Sequence, residues 1–116
     1  MTSEIKLQVG GTLSDDLAAF SEAWRRGETG DLAAQRILSF ESWEGLASIM
    51  TGERYRLLRH LHAQPAKSVN ALALSLRRQY RRVHEDVTIL EGAGLIDRSG
   101  GGVRTAVDRL SALVVL

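Results

Sequence analysis

The sequence predicts an α+β fold, mainly helical, with a short strand near each end of the chain and a run of helices between them. Three observations carry that expectation. Apolar residues recur at helical spacing from Trp43 to Leu90, broken only by short polar turns. Ile5, Leu7 and Val9 alternate with polar residues ahead of Gly10-Gly11, the period of a half-buried strand. Leu110 to Leu116 is an uncharged run rich in Leu and Val, suited to a last strand buried in a sheet or against a second subunit.

Taken in order, the first strand should give way to a helix with Ser14 as N-cap, Asp15 and Asp16 at the positive end of its dipole, and Leu17, Phe20 and Trp24 as its apolar stripe. Arg25-Arg26-Gly27 is a matching stop, followed by a turn around Gly30 and at most one helical turn before Gln35. Arg36 to Phe40 alternates again and reads as a strand, and Trp43 to Met50 as a short helix. Thr51 is the next N-cap, with Leu57, Leu58 and Leu61 behind it, and Gln64-Pro65 ends that helix because proline disfavours helical backbone at the residue before it. Ser68 caps another helix with Val69, Leu72, Ala73 and Leu76 at i, i+3, i+4 and i+7. An arginine-rich helix then runs to about Glu91, where Gly92-Ala93-Gly94 supplies a left-handed cap. Leu95 to Arg98 and Val103 to Val107, joined by Ser99-Gly100-Gly101-Gly102, read as a hairpin. Trp24, Phe40, Trp43 and Tyr55 are expected in the core, since a chain with so few aromatics normally buries them.

Two helices separated by a short turn, followed by a glycine-tipped hairpin, are the order of a winged helix-turn-helix. Residues 1–40 then form a strand-helix-strand extension, a dimer or partner surface, and residues 41–116 the winged helix-turn-helix domain. The run Leu76-Arg77-Arg78-Gln79-Tyr80-Arg81-Arg82-Val83-His84 is its chemical signature. On a helical wheel Tyr80, Val83, Val87 and Leu90 share one side and Arg78, Arg81, Arg82 and Glu85 the other, so the apolar stripe anchors the helix and leaves the arginines free. Their planar forks hold guanine O6/N7 or a phosphate through two hydrogen bonds at once. The competing reading of such a run is a solvated charged face. Charge distribution favours the first reading: residues 1–53 carry four basic and nine acidic side chains, whereas residues 54–116 carry eleven basic and five acidic.

Other functions are disfavoured. The chain has no cysteine, which removes disulfides, zinc ribbons and thiol catalysis. It has no run of about eighteen apolar residues to cross a bilayer and no basic-then-apolar N-terminus, so a cytoplasmic location is expected. His60 and His62, two apart on a helix, point about 200° from each other and cannot share one ion. Gly92-Ala93-Gly94 follows a helix and precedes a strand, the reverse of the order that aims a helix N-terminus at phosphate. Without a nucleophile elbow or paired carboxylates, no enzyme, cofactor or metal site is expected.

The runs Leu38-Ser39-Phe40-Glu41-Ser42-Trp43-Glu44-Gly45-Leu46 and Leu57-Leu58-Arg59-His60-Leu61 come first, followed by Ser68-Val69, Leu72-Ala73 and Tyr80. With Val83-His84, Asp86-Val87, Leu90 and Gly94-Leu95-Ile96, they resemble the small prokaryotic winged-helix regulators broadly related to the MarR type, DNA-binding proteins or antitoxins. The Val83-His84 and Asp86-Val87 block is its most specific part. Arg77 stands where a glycine is usual in the turn, Gln79 where an aspartate is common and Arg82 where an asparagine is common. These departures add positive charge and bear on base preference, not on the fold. The resemblance implies a transcriptional repressor, in its toxin-antitoxin form an autoregulating antitoxin that binds a toxin protein. The expected DNA-binding residues are Arg77, Arg78, Gln79, Arg81 and Arg82 on the third winged-helix helix, with His84 packing or touching phosphate. Lys67 and Ser68 are expected as phosphate contacts, and Arg98 and Arg104 on the wing. A homodimer on a double-stranded operator is expected, through the C-terminal strand and the N-terminal segment. The alternative is a protein-interaction module that neutralises a partner without specific DNA binding.

Overall fold

The computed structural model describes residues 3–10 and 36–116, so the expected helix around Ser14 to Trp24 and the turn that follows it lie outside the described residues. The order is β1 (Glu4–Val9), β2 (Arg36–Phe40), α1 (Trp43–Ile49), α2 (Gly52–Ala63), α3 (Val69–Leu76), α4 (Tyr80–Gly92), β3 (Ile96–Asp97), β4 (Arg104–Thr105) and β5 (Arg109–Val114). This is an α+β chain. It divides into two units, Met1–Leu46 with Arg109–Leu116, and Ala47–Asp108.

The first unit is built on a three-stranded parallel sheet in the order β2-β1-β5. Leu7 lies opposite Leu38 on one side and Ala112 on the other, so the alternation in β1 sets a row of apolar residues on one face. Ile5, Leu7 and Val9 are buried, as the period-two pattern predicts. Gln8 departs from it: this nominally outward position is 1% exposed, and its side-chain amide has no hydrogen-bond partner among the described residues. The strand is central, and a central strand of a parallel sheet buries both faces. Gly10 closes β1 at φ 73°, and a Cβ there would lie 2.8 Å from the Val115 carbonyl oxygen, so both conformation and space demand glycine. The C-terminal strand joins the sheet as expected, but its Leu113 and Val114 are exposed. Trp43, expected in the core, is 58% exposed at the start of α1.

The second unit is helical. Thr51 Oγ1 accepts from the Arg54 N–H (3.2 Å) at the start of α2, and Ser68 Oγ accepts from the Ala71 N–H (3.0 Å) at the start of α3, the two caps read from the sequence. α2 buries Leu57, Leu58 and Leu61 and stops at Ala63, ahead of Pro65. α3 buries Val69, Leu72 and Ala73. α4 buries Val83, Val87 and Leu90, each worth about 1.5–3 kcal/mol when removed from water. It ends where Gly94 takes φ 82° and the Leu95 N–H donates to the Leu90 carbonyl (2.9 Å). Tyr55, also expected in the core, is 49% exposed on α2.

The hairpin follows with β3 and β4 antiparallel, Ile96 opposite Thr105 and Asp97 opposite Arg104. Its turn needs Gly100 (φ 77°) and Gly101 (φ 88°), which only glycine adopts without strain. Ala66, between α2 and α3, exchanges two backbone hydrogen bonds of 2.9 Å with Val103, tying the hairpin to the helices. Leu95 and Val103 are completely buried beside them in sequence. Among the described residues no helix is long and apolar enough to cross a membrane.

Candidate nucleic-acid interface

α4 begins at Tyr80, so the arginine run is split between a turn and a helix. The turn opens at Arg77, which takes the left-handed conformation (φ 55°, ψ 45°) and donates its N–H to the carbonyls of Ala73 and Leu74. A non-glycine residue pays about 1–2 kcal/mol for this backbone. Glycine would be the relaxed choice, which accords with the position's departure from the resemblance. Gln79 is the N-cap of α4 but makes no side-chain capping bond, so the amides of the first turn carry no cap from it.

Arg78 does not lie on the free face the helical wheel assigned to it. It precedes the helix, and its extended approach carries the guanidinium back to Asp86, with Nη2 2.8 Å from Oδ2. Asp86 Oδ1 accepts from Arg54 Nε at 2.9 Å, and Arg54 Nη1 donates to the carbonyls of Ser48 (2.9 Å) and Ile49 (3.0 Å). One buried carboxylate thus joins α2, the turn before α4 and α4 itself, while its arginine partner reaches the C-terminal end of α1. Glu53 adds a longer contact to Arg78 Nε (3.4 Å) and a short one to Arg56 Nη2 (2.8 Å). The hydrogen bond from Arg56, then its charge, hold the Glu53 carboxyl below the usual range, and the charge of Arg78 adds to this. Arg78 Nη1 is buried without a hydrogen-bond partner among the described residues. Sequence reading missed Arg54 and Asp86. The signal was available: Asp86 falls three residues after Val83 and four before Leu90, inside the buried stripe, where a carboxylate needs a cation.

The remaining arginines are open. Arg81 and Arg82 are exposed and have no ion-pair partner among the described residues. Gln79, His84 and Glu85 are exposed beside them. Tyr80, expected in the buried stripe, is 51% exposed, because the first turn of α4 projects beyond the cover that Val83 and Val87 receive. Its ring lies 5.7 Å from that of His84, tilted by 37°. An open depression of about 570 Å³ runs along this end of the helix, lined by Thr51, Glu53, Arg54, Arg78, Gln79, Arg81, Arg82, Glu85 and Asp86.

In the hairpin, Arg104 Nη2 is 2.8 Å from Asp97 Oδ2 and donates to Ser99 Oγ (2.8 Å), and Nη1 donates to the Ser99 carbonyl (3.1 Å). Its guanidinium braces the turn. The Ser99 N–H bonded to Asp97 Oδ1 (2.8 Å) and the Ser99 hydroxyl hold the Asp97 carboxyl below its ordinary value, with Arg104 contributing less. Arg98, Lys67 and Ser68 are exposed, the Ser68 hydroxyl being committed to its cap. His62 Nε2 lies 3.0 Å from Asp108 Oδ1, with the ring half-exposed.

Fold and site together define a small α+β protein with an anchored helix whose outer face is basic and open. The chain belongs to the HVO_A0114 family, whose model matches residues 49–111, a span that holds every residue of the candidate interface. No curated protein and no solved structure matches the chain.

Proposed function

We propose that the chain is a sequence-specific double-stranded-DNA-binding transcriptional regulator with a winged helix-turn-helix reading head. In this reading α3 and α4 are the helix-turn-helix, α4 enters the major groove, and the β3-β4 hairpin is the wing. The observation that carries it is the division of arginines around α4: Arg54 and Arg78 are spent on Asp86, whereas Arg81 and Arg82, in the first turn of α4, have no ion-pair partner among the described residues. Gln79, Arg81 and Arg82 are the base and phosphate readers. Arg77, His84, Lys67, Ser68 and Arg98 contact phosphate and set register, and Arg104 holds the wing in shape. The second unit supports this role with ten basic against six acidic side chains, while the first has five against eight.

One helix of this length reads only a few base pairs, so a repressor acts as a homodimer on an inverted repeat with half-sites about one helical turn apart. The family resemblance extends the proposal to an autoregulating antitoxin that meets its toxin through the acidic first unit. The test is a mobility shift of the intact protein with a duplex from its own upstream region, against a scrambled duplex, across a salt series. A specific, salt-sensitive shift supports the reading. No shift of any duplex, with co-purification of the neighbouring gene's product, replaces it with the protein-interaction module.

A further inference from the structure

Within that DNA reading, Tyr80 stands out as an aromatic side chain in an unexpected place. It is the first residue of α4, half-exposed, on a helix that buries Val83, Val87 and Leu90 completely. Trp43 and Tyr55 are similarly exposed on α1 and α2, but Tyr80 is on the helix that carries Arg81 and Arg82. At 100° per residue, His84 lies 40° from Tyr80 around the axis and Arg81 lies 100° from it, so the outer face of α4 has an aromatic edge beside its central arginine and a charged edge, Arg82 and Glu85, beyond. His84, one turn on, sets its ring 5.7 Å from that of Tyr80, tilted by 37°, so the two rings are neighbours on this edge of the helix.

A half-exposed ring next in sequence to an open arginine on one helix face presents an apolar contact near a bidentate donor. In the major groove the matching group is the 5-methyl of thymine, the one apolar feature displayed there. We propose that Tyr80, supported by His84, is a specificity-determining residue that packs on a thymine methyl adjacent to the base pair Arg81 contacts. The inference rests on α4 being the reading helix and adds to it a preference that arginines alone do not supply.

The experiment starts from duplexes selected by the intact protein from a random pool. Each thymine of the selected site is replaced singly by deoxyuridine, which deletes the methyl and keeps the hydrogen-bonding edge. In each half-site one such replacement should weaken wild-type binding by about fourfold, the effect of one buried methyl-sized group. Tyr80→Ala should lose that discrimination and bind the thymine and deoxyuridine duplexes equally, while Tyr80→Phe retains it, because the contact uses the ring and not the hydroxyl. Thermal unfolding checks that both variants are folded, and Tyr80→Gln, which keeps length without the ring, serves if the alanine variant is not. If every deoxyuridine site binds as well as its thymine parent, or if Tyr80→Ala and Tyr80→Gln keep the full discrimination, the assignment of Tyr80 is overturned while α4 survives as the reader. If the intact protein selects no duplex at all, both fall together.

Discussion

The two flanks of α4 use the same residue type for opposite purposes. On the inner flank Arg54 and Arg78 each donate to the carboxylate of Asp86, three charges taken largely out of water around one acceptor group. On the outer flank Arg81 and Arg82 stand in solvent with no such partner among the described residues. Removing one member of a buried pair leaves an uncompensated charge, whereas removing an exposed arginine leaves water in its place. The inner flank should therefore govern stability, and the outer flank whatever the protein binds.

The sharpest break of this contrast is Asp86→Ala, which leaves two guanidinium groups facing each other and should lower unfolding free energy by about 3–5 kcal/mol. Denaturant titration measures it, and a loss under about 0.5 kcal/mol would mean the inner flank is not structural. Next is Arg81→Ala, expected to leave stability within about 0.5 kcal/mol and to cost about 1–3 kcal/mol in binding to a selected duplex, with relaxed preference at one base pair. Arg78→Ala should do the reverse, destabilising the fold while any folded fraction keeps its base preference. Between the flanks sits Arg77, whose left-handed backbone predicts that Arg77→Gly gains about 0.5–1 kcal/mol in thermal or chemical unfolding. The smallest effect is at the hairpin. Because the Asp97 carboxyl is depressed by the Ser99 amide, its contribution is present above the unfolded-state value and lost as pH falls through the lower folded value. Protection of the Ser99 amide from hydrogen exchange, taken relative to its intrinsic rate at each pH, should fall on acidification below the ordinary aspartate range, and Asp97→Asn should flatten that dependence.

How much of this was legible depended on the range over which the signal acts. Thr51 and Ser68 as caps, Pro65 as a stop, the glycine cap after α4 and the glycine tip of the hairpin are local chemistry, and each was readable from a few neighbouring residues. The parallel pairing of β1 with β5 joins Glu4 to Arg109 and leaves no local trace, so neither the sheet order nor the burial of Gln8 was foreseen. Arg78 was misplaced because a helical wheel presumes a helix, and its backbone is not helical. Trp43 and Tyr55 were expected inside by residue type and Tyr80 by its place on the helical wheel, yet each lies at or near the start of its helix, where neighbouring elements give less cover. For the site, residue types were readable, whereas which arginines were free was not, because that depended on Arg54 reaching Asp86 across 32 residues.

The central claim is that the outer flank of α4 reads DNA sequence. Its most direct measurement is selection from a random duplex pool with the wild-type protein, Arg81→Ala, Arg82→Ala and, as a control outside α4, Arg98→Ala. The account predicts that wild type selects an inverted repeat, that each α4 variant loses preference at one or two positions per half-site, and that Arg98→Ala weakens all sequences alike. If Arg81→Ala and Arg82→Ala select the wild-type site with unchanged affinity, α4 is not the reader and the account is contradicted.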